Sequence, residues 1–196
     1  MAPAGSFESL AAALQGGADS VYFGIGKLNM RSRATANFAE EDLPEIVARC
    51  HETGAKAYLT LNIIVYDEEL ETVRNLCAAA KAAGVDAVIA SDLAVITHAH
   101  SIGLEVHMSV QANVCNMASV RFYAQYADVV VLARELTLGQ IRRIIDGIRD
   151  EGIRGPSGDL IRVEIFAHGA LCVAVSGKCH MSLAAYNSSA NRGACF

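Results

Sequence analysis

The order of apolar and polar positions along the chain predicts buried strands that alternate with amphipathic helices. Continuous apolar runs, rich in β-branched residues, are typical of strands covered on both faces, as in a parallel sheet. A short strand is also expected at the N-terminus, before Pro3. The other predicted strands span Ser20–Ile25, Lys56–Ile64, Asp86–Ser91, Leu104–Val110, Asp128–Ala133 and Leu160–Ala167.

A recurring phrase marks the junctions where helices pass into strands. Gly-Ala-Asp-Ser-Val at 17–21 returns as Gly-Val-Asp-Ala-Val at 84–88 and as Tyr-Ala-Asp-Val-Val at 126–130. Glycine in the first position suits a helix C-terminus, because it adopts the left-handed conformation without a Cβ clash. Two amphipathic helices are predicted between strands, Glu68–Ala83 with Asp67 as its cap and Thr137–Glu151 with Thr137 as its cap.

Seven strands that alternate with helices predict an α/β fold of the (β/α)₈ TIM-barrel type. A doubly wound sheet is the alternative. No eighth strand is visible in the sequence, so the barrel is expected to be incomplete. No linker rich in proline or serine divides the chain, and residues 1–196 are interpreted as one barrel domain with a cysteine-bearing segment at 164–196.

Polar residues at the C-terminal ends of the predicted strands favour the barrel, because barrel enzymes place their chemistry there. Asp92 is interpreted as a helix cap, whereas Gln111 and Arg134 are poor caps. The polar residues at these strand ends are Asn62, Asp92, Gln111, Asn113, Arg134, Glu135 and His168.

The composition narrows the class of protein. The chain is 53% hydrophobic and 19% charged, which excludes a disordered chain. No apolar run approaches the roughly 18 residues that span a membrane, and no signal peptide is visible. The formal charge of −5 argues against nucleic-acid binding through bulk charge but leaves a local basic site open. We expect a cytoplasmic protein without a membrane partner.

Three of the six cysteines, Cys50, Cys77 and Cys115, are not assigned to a metal site. With no export signal, a disulfide framework is not expected. Cys50 and Cys77 lie in helical stretches among apolar neighbours and are interpreted as small buried hydrophobic residues. The role of Cys115 stays open.

The other three cysteines, Cys172, Cys179 and Cys195, crowd into the last 25 residues, a segment rich in Gly, Ser and Asn. Thiols collected on irregular backbone at a strand end are typical of a soft-metal or iron–sulfur site. Three thiols are one short of a closed four-thiolate site. His180 is an awkward fourth ligand, because it is adjacent to Cys179.

Longer ordered phrases make the pattern more specific. Residues 164–172 read Glu-Ile-Phe-Ala-His-Gly-Ala-Leu-Cys, and residues 176–182 read Ser-Gly-Lys-Cys-His-Met-Ser. Further phrases are Ala-Pro-Ala-Gly-Ser at 2–6, Leu-Thr-Leu-Asn at 59–62, Val-Leu-Ala-Arg-Glu-Leu at 131–136 and Ser-Ala-Asn-Arg-Gly-Ala-Cys at 189–195. Together they resemble the collagenase-like peptidase family U32 along nearly the whole chain.

The resemblance implies a barrel-like domain and, despite the family's name, an oxygen-independent hydroxylase with a four-iron, four-sulfur cluster. Such relatives hydroxylate a tRNA uridine, a cytidine of the large ribosomal RNA, or the ubiquinone ring. Prephenate is implicated as the hydroxyl source in the RNA-modifying branch, which the phrase at 189–195 resembles more closely. By the same resemblance, Cys172, Cys179 and Cys195 correspond to cluster ligands.

The family pattern continues past Cys195 with a further cysteine and a later strand. We therefore expect this chain to be a fragment that lacks the fourth thiolate and the eighth strand. An absent eighth strand would expose a sheet edge, which a missing segment or a partner must cover.

The leading hypothesis is iron–sulfur-dependent hydroxylation of an RNA base. Guanidinium groups bind phosphates and carboxylates well, including those of a prephenate-like donor. Histidines at strand ends can move protons near neutral pH, whereas Glu164 is expected to be structural, with a partner such as Arg134. The candidate substrate-binding residues are Arg31, Arg33, Asn62, Gln111, Asn113 and Arg192, and the candidate catalytic residues are His107, His168 and Arg134.

Two other functions stay open. A peptidase would require a nucleophile with a nearby base, and either a Cys172–His168 or a Cys179–His107 pair can be drawn. The sequence has neither the Gly-x-Ser-x-Gly nor the His-Glu-x-x-His motif. Cysteines that hold a cluster could not also act as nucleophiles. The third hypothesis is a cluster-bearing accessory subunit, as in quinone hydroxylation.

Overall fold

The computed structural model describes residues 1–30, 38–169 and 172–195. Within these residues, seven strands form one parallel sheet, and each strand pairs with the next along the chain. The strands are β1 (Ala2–Ala4), β2 (Ser20–Gly24), β3 (Lys56–Leu61), β4 (Ala87–Ala90), β5 (Val106–Met108), β6 (Val129–Val131) and β7 (Arg162–Glu164).

Helices connect the strands, as parallel pairing requires. A seventh helix lies in the segment after β7. The helices are α1 (Phe7–Gln15), α2 (Leu43–Glu52), α3 (Leu70–Ala83), α4 (Leu93–Ser101), α5 (Met117–Tyr123), α6 (Leu138–Glu151) and α7 (Met181–Tyr186). No helix in the described ranges is both long and apolar enough to cross a membrane.

The sheet is curled, as shown by side chains of alternate strands that contact one another on one face. The ring centroids of Tyr58 on β3 and His107 on β5 are 4.6 Å apart. Arg162 on β7 donates to Glu105, the residue before β5, at 2.6 Å. Contacts that skip a strand are typical of a barrel interior. The predicted incomplete α/β barrel is confirmed.

The strand order excludes the doubly wound alternative, which reverses its order at a switch point. Here the order runs from β1 to β7 without reversal. The main core is formed by apolar side chains such as Phe23 of β2, Leu59 of β3, Ile46 of α2 and Leu10 of α1, all fully buried. Burial of each large apolar side chain contributes about 1.5–3 kcal/mol.

Every predicted strand is present. The six strands with predicted bounds are shorter than expected, whereas β1, expected before Pro3, includes Pro3 and ends at Ala4. The apolar run Lys56–Ile64 leaves the ladder after Leu61, and the Ile64 N–H donates instead to the Asn191 carbonyl. The run Leu160–Ala167 pairs only over Arg162–Glu164. Among the described strands β7 pairs only with β6, and this pairing ends at Glu164.

Two of the three predicted helix caps are present in the structure, and one is not. Thr137 caps α6 through a reciprocal pair with Gln140, and Asp92 caps α4 by accepting from the Ala94 N–H at 2.9 Å. The expected cap at Asp67 is wrong. Residues 67–69 form a 3₁₀ turn in which the Tyr66 N–H donates to the Glu69 carboxylate, so α3 begins only at Leu70.

Candidate functional site

The C-terminal ends of the strands form one polar edge, which we call the mouth of the curled sheet. Asn62, just after β3, accepts from the Met30 N–H at 3.1 Å and donates through Nδ2 to Ser109 Oγ at 3.3 Å. Its carbonyl accepts from Ser91 Oγ at 3.0 Å. Asn62 thus links the ends of β3, β4 and β5, and it lies at a strand end as predicted.

The described residues 172–195, here called the C-terminal segment, are fastened to the mouth at one end by Ser176. The Ser176 N–H and Oγ both donate to Glu135, at 2.7 and 3.1 Å. Arg134 donates to Ser176 Oγ at 3.4 Å and to the Ala174 carbonyl at 3.1 Å. Both strand-end residues after β6 therefore hold this segment, and Arg134 bonds to it rather than to Glu164.

Gly177 brings the backbone of the C-terminal segment directly against the mouth. A Cβ at this position would lie 1.9 Å from the Gln111 carbonyl oxygen, and the residue has φ +72°. Only glycine fits both conditions. This close approach places the turn before Cys179 over the end of β5.

The other end of the C-terminal segment is fastened to the residues that follow β3. Arg192 forms two hydrogen bonds of 2.6 Å with the Glu69 carboxylate and lies 4.4 Å from the centre of the Tyr66 ring. The Ile64 N–H donates to the Asn191 carbonyl at 3.2 Å. The hydrogen bonds from Arg192 lower the pKa of Glu69. Arg192, a predicted substrate-binding residue, is thus engaged in an intramolecular ion pair.

Asn191 joins the two halves of the C-terminal segment. Its side-chain Oδ1 accepts from the Cys179 N–H at 3.2 Å, while its carbonyl is bonded to Ile64. The Asn-Arg pair in the phrase at 189–195 therefore positions the backbone around Cys179 against the barrel.

A cavity of about 110 Å³ lies between the mouth and the C-terminal segment. It brings together Asn62 and Gln111, two of the predicted substrate-binding residues, whereas Asn113 ends the 3₁₀ turn after β5 with φ 51°. Side-chain amides and hydroxyls give the cavity both donors and acceptors. The lining residues are Asn62, Ile63, Ile64, Ser91, Asp92, Gln111, Gly177 and Asn191.

The two predicted catalytic histidines have different surroundings. His107 is only 2% exposed, and its Nε2 lies 2.9 Å from the Glu105 carboxylate. Its Nδ1 is buried without a hydrogen-bond partner among the residues that the structure describes. His168 is exposed in the segment after β7. Within the described part of the chain, neither imidazole is hydrogen-bonded to a cysteine thiol, as a Cys–His nucleophile would require.

The predicted burial of Cys50 and Cys77 is confirmed. Cys50 and Cys77 are fully buried in α2 and α3, and burial raises the pKa of each thiol to about 11. Cys172 is exposed, and hydrogen bonds with Ala174 and Arg134 lower the pKa of its thiol.

The three cysteines of the C-terminal segment have the chemistry of cluster ligands but not the placement. Thiolates suit iron–sulfur chemistry, and Cys172, Cys179 and Cys195 all lie on this segment. Among residues 1–30, 38–169 and 172–195, however, no three His, Cys, Asp or Glu side chains are placed to hold a metal ion. As placed, these residues do not form a cluster ligand set.

Sequence reasoning missed the partners that fix these elements. Glu69 lies in a short acidic run and Glu105 precedes an apolar strand, so both resemble ordinary exposed acids. Ser109 lies inside the predicted strand Leu104–Val110, where its contact with Asn62 is not expected. The predicted binding residues Arg31 and Arg33 lie outside the described residues.

Comparison with known proteins assigns the chain to a family. A model of peptidase family U32 matches residues 5–196. The chain belongs to this family. Among solved structures, the U32 peptidase Mk0906 superposes with a TM-score of 0.63 at 15% identity, covering 84% of this chain and 65% of that one. At this identity the likeness shows a shared fold.

Relatives within the U32 family have different names. A protein named Collagenase from Porphyromonas gingivalis is 55% identical over 195 residues, which is 100% of this chain and 47% of that protein. The Escherichia coli 23S rRNA 5-hydroxycytidine C2501 synthase is 37% identical, over 91% of this chain and 25% of its own length. The Escherichia coli tRNA hydroxylation protein P is 35% identical, over 100% of this chain and 41% of its own length. The chain thus spans less than half of each of these relatives.

Proposed function

We propose that this protein hydroxylates a base of RNA, either a tRNA uridine or an rRNA cytidine. The observation that carries the proposal is the similarity to the tRNA hydroxylation protein P, which covers the whole chain, including the C-terminal segment. The rRNA 5-hydroxycytidine synthase, which is 37% identical to this chain, is named for the same class of reaction.

The mouth has the chemistry to recognise a base edge. Gln111 and Asn62 line the cavity with amide groups, which offer donors and acceptors like those of base edges. The C-terminal segment covers part of the mouth through its bonds to Glu135 and Glu69. In our proposal this segment moves when the base enters, since a cavity of about 110 Å³ leaves room for little more than the edge of a base.

The cofactor in this proposal is a four-iron, four-sulfur cluster on Cys172, Cys179 and Cys195, with a fourth thiolate supplied from outside the chain. Its support is the concentration of three thiols on one segment and the lowered pKa of Cys172, which favours the thiolate form that binds iron. Because these thiols do not converge as placed, cluster binding would require the segment to rearrange. A small carboxylate such as prephenate completes the proposal as the hydroxyl source, without dioxygen.

Peptide hydrolysis is the second candidate, because a relative named Collagenase is 55% identical to this chain. Against it stand the surroundings of the two histidines. The His107 imidazole is paired with Glu105 inside the curled sheet, and His168 forms no hydrogen bond with a described cysteine.

Mass spectrometry of nucleosides tests the proposal directly. RNA from cells that lack this protein is expected to lose a hydroxylated uridine or cytidine, which returns when the gene is restored. Unchanged RNA, together with cleavage of peptides by the purified protein, would establish the peptidase instead.

Iron and sulfide analysis tests the cofactor. Protein purified without oxygen is expected to contain about four iron and four sulfide per chain when the fourth thiolate is supplied. Cys172→Ala and Cys179→Ala should abolish iron binding, whereas the buried-site controls Cys50→Ala and Cys77→Ala should retain it. Equal loss in all four variants would show general destabilisation rather than ligation.

A further inference from the structure

Polar side chains lie on the inner face of the curled sheet, below the mouth. Tyr58 of β3, His107 of β5 and Arg162 of β7 all come from alternate strands, and Glu105 lies between the last two. Branched apolar residues normally fill this layer of a barrel. A buried polar group in this layer is costly unless it has partners. His107 is such a group at 2% exposed, whereas the side chains of Glu105 and Arg162 are 37% and 58% exposed.

Three of these residues form a chain of hydrogen bonds. Arg162 Nη2 donates to Glu105 Oε1 at 2.6 Å, and the same oxygen lies 2.9 Å from His107 Nε2. The bond from His107 and the charge of Arg162 lower the pKa of Glu105, which is therefore ionised at neutral pH. An ionised carboxylate only accepts hydrogen bonds, so Nε2 of His107 carries a hydrogen.

This arrangement fixes the role of the other ring nitrogen. When Nε2 carries the only ring hydrogen, Nδ1 presents a lone pair. Nδ1 is buried and has no partner among the described residues. Leaving such a buried group unsatisfied destabilises the fold. The other groups that face the ring are Tyr58, at 4.6 Å between ring centroids, and Glu164 of β7, whose pKa is raised by burial.

His107 lies close to the proposed substrate site. It precedes Ser109 by two residues on β5, which corresponds to about 6.6 Å along a strand. Ser109 is bonded to Asn62 in the lining of the mouth cavity. His107 does not itself line this cavity, so a base held by the mouth would bring an imide N–H or an amino group to the layer that contains His107 only after the C-terminal segment moves.

We propose that Nδ1 of His107 accepts a hydrogen bond and a proton from an N–H or O–H of the bound ligand, and that Glu105 and Arg162 are the positioning residues for this imidazole. The inference rests on the proposed function, which makes that ligand a pyrimidine base of RNA. In the transfer the ligand atom keeps the electron pair of the broken bond. The proton binds to the Nδ1 lone pair, and the ionised Glu105 balances the resulting imidazolium.

The positioning role is tested by nuclear magnetic resonance of the protein labelled with ¹⁵N-histidine. His107 is expected to have its hydrogen on Nε2 in the wild type. Glu105→Ala should shift the tautomer population toward Nδ1–H while the protein stays folded. A wild-type imidazole with its hydrogen on Nδ1, or a tautomer that Glu105→Ala leaves unchanged, would overturn the positioning role. This measurement needs no substrate.

The proton-acceptor role is tested by the fraction of hydroxylated nucleotide in RNA. His107→Gln is expected to lower the rate about 100-fold, the low end for loss of a general base. Arg162→Met should lower it less, and Arg162→Lys should restore part of the loss, because a cation again faces Glu105. The control is Arg149→Met, which should leave the rate unchanged. Arg149 is exposed on α6, and its one ion pair among the described residues, with Asp146, is long at 4.0 Å.

The outcomes separate this inference from the proposed function. Full activity of a folded His107→Gln variant, with modified RNA in the wild type, overturns the proton-acceptor role and leaves the function intact. A wild type that modifies no RNA overturns the function, while the tautomer measurement still decides the roles of Glu105 and Arg162.

Discussion

Arg192 is bound to Glu69 by two hydrogen bonds of 2.6 Å across 123 residues of sequence. Less than a quarter of either side chain is exposed, and the guanidinium also stacks on Tyr66. The pair joins the end of the C-terminal segment to the turn before α3. This arrangement gives the arginine in the phrase at 189–195 a structural role that its charge alone does not reveal.

Loss of this ion pair should destabilise the protein. Arg192→Met is expected to lower the free energy of unfolding by about 1.5–3 kcal/mol, as for hydrogen bonds to charged groups. Urea denaturation measures the change. The matched control is Arg121→Met, which removes a two-bond pair with Glu151 on the exposed surface of α5 and α6. That pair should contribute about 0–1 kcal/mol, so equal losses would contradict the assignment.

The same pair should make the docking of the C-terminal segment sensitive to acid. Arg192 lowers the pKa of Glu69 in the folded protein. Its stabilisation is therefore complete above the ordinary glutamate pKa of about 4.3 and is lost as the pH falls through the lowered value. Hydrogen exchange of residues 172–195 is expected to be steady from neutral pH to about pH 5 and to accelerate, after correction for intrinsic rates, at more acidic pH.

The control for this pH dependence is Glu69→Gln, which cannot ionise. Exchange in the variant should be faster than in the wild type at neutral pH, and the difference should vanish in acid. A difference that stays constant across the range would show that ionisation of Glu69 does not hold the segment.

Gly177 should tolerate no side chain. Gly177→Ala would place a methyl group 1.9 Å from the Gln111 carbonyl oxygen, so the C-terminal segment should detach from β5. Limited proteolysis and thermal denaturation are expected to show faster cleavage within 172–195 and a lower melting temperature.

Gly152→Ala is a matched control for the backbone conformation. Gly152 has φ +63°, and nothing lies within 4 Å of its virtual Cβ. This variant should lose only the cost of the left-handed conformation, about 1–2 kcal/mol. If both variants lose the same stability, the contact with Gln111 is not what holds Gly177.

When no metal is bound, Cys172 should react faster with an alkylating reagent than Cys50 or Cys77. Its thiol pKa is lowered by Ala174 and Arg134, so a larger thiolate fraction is present at neutral pH. Cys50 and Cys77 are buried with pKa values of about 11. Alkylation followed by peptide mass spectrometry should label Cys172 first and the buried pair last. Arg134→Met should slow the labelling of Cys172, and an unchanged rate would show that the guanidinium does not stabilise its thiolate.

The strand order and the position of the mouth could be predicted because both depend on local pattern. Apolar runs indicate each strand. The polar residues Asn62 and Gln111 lie at the ends of two of these runs, and both line the cavity at the mouth. The pairing of Arg192 with Glu69 could not be predicted, because nothing in the sequence relates positions that far apart. The role of Glu105 was hidden for another reason, since its partners His107 and Arg162 meet it only when the sheet curls.

The contacts of the C-terminal segment also order the events of folding. Ser176 reaches Glu135 across 41 residues, and Arg192 reaches Glu69 across 123. Contacts of such separation repay their loop-closure entropy only after the strands that carry the partners have paired. The segment with three of the cysteines is thus expected to gain its structure last on the folding pathway and to lose it first on unfolding.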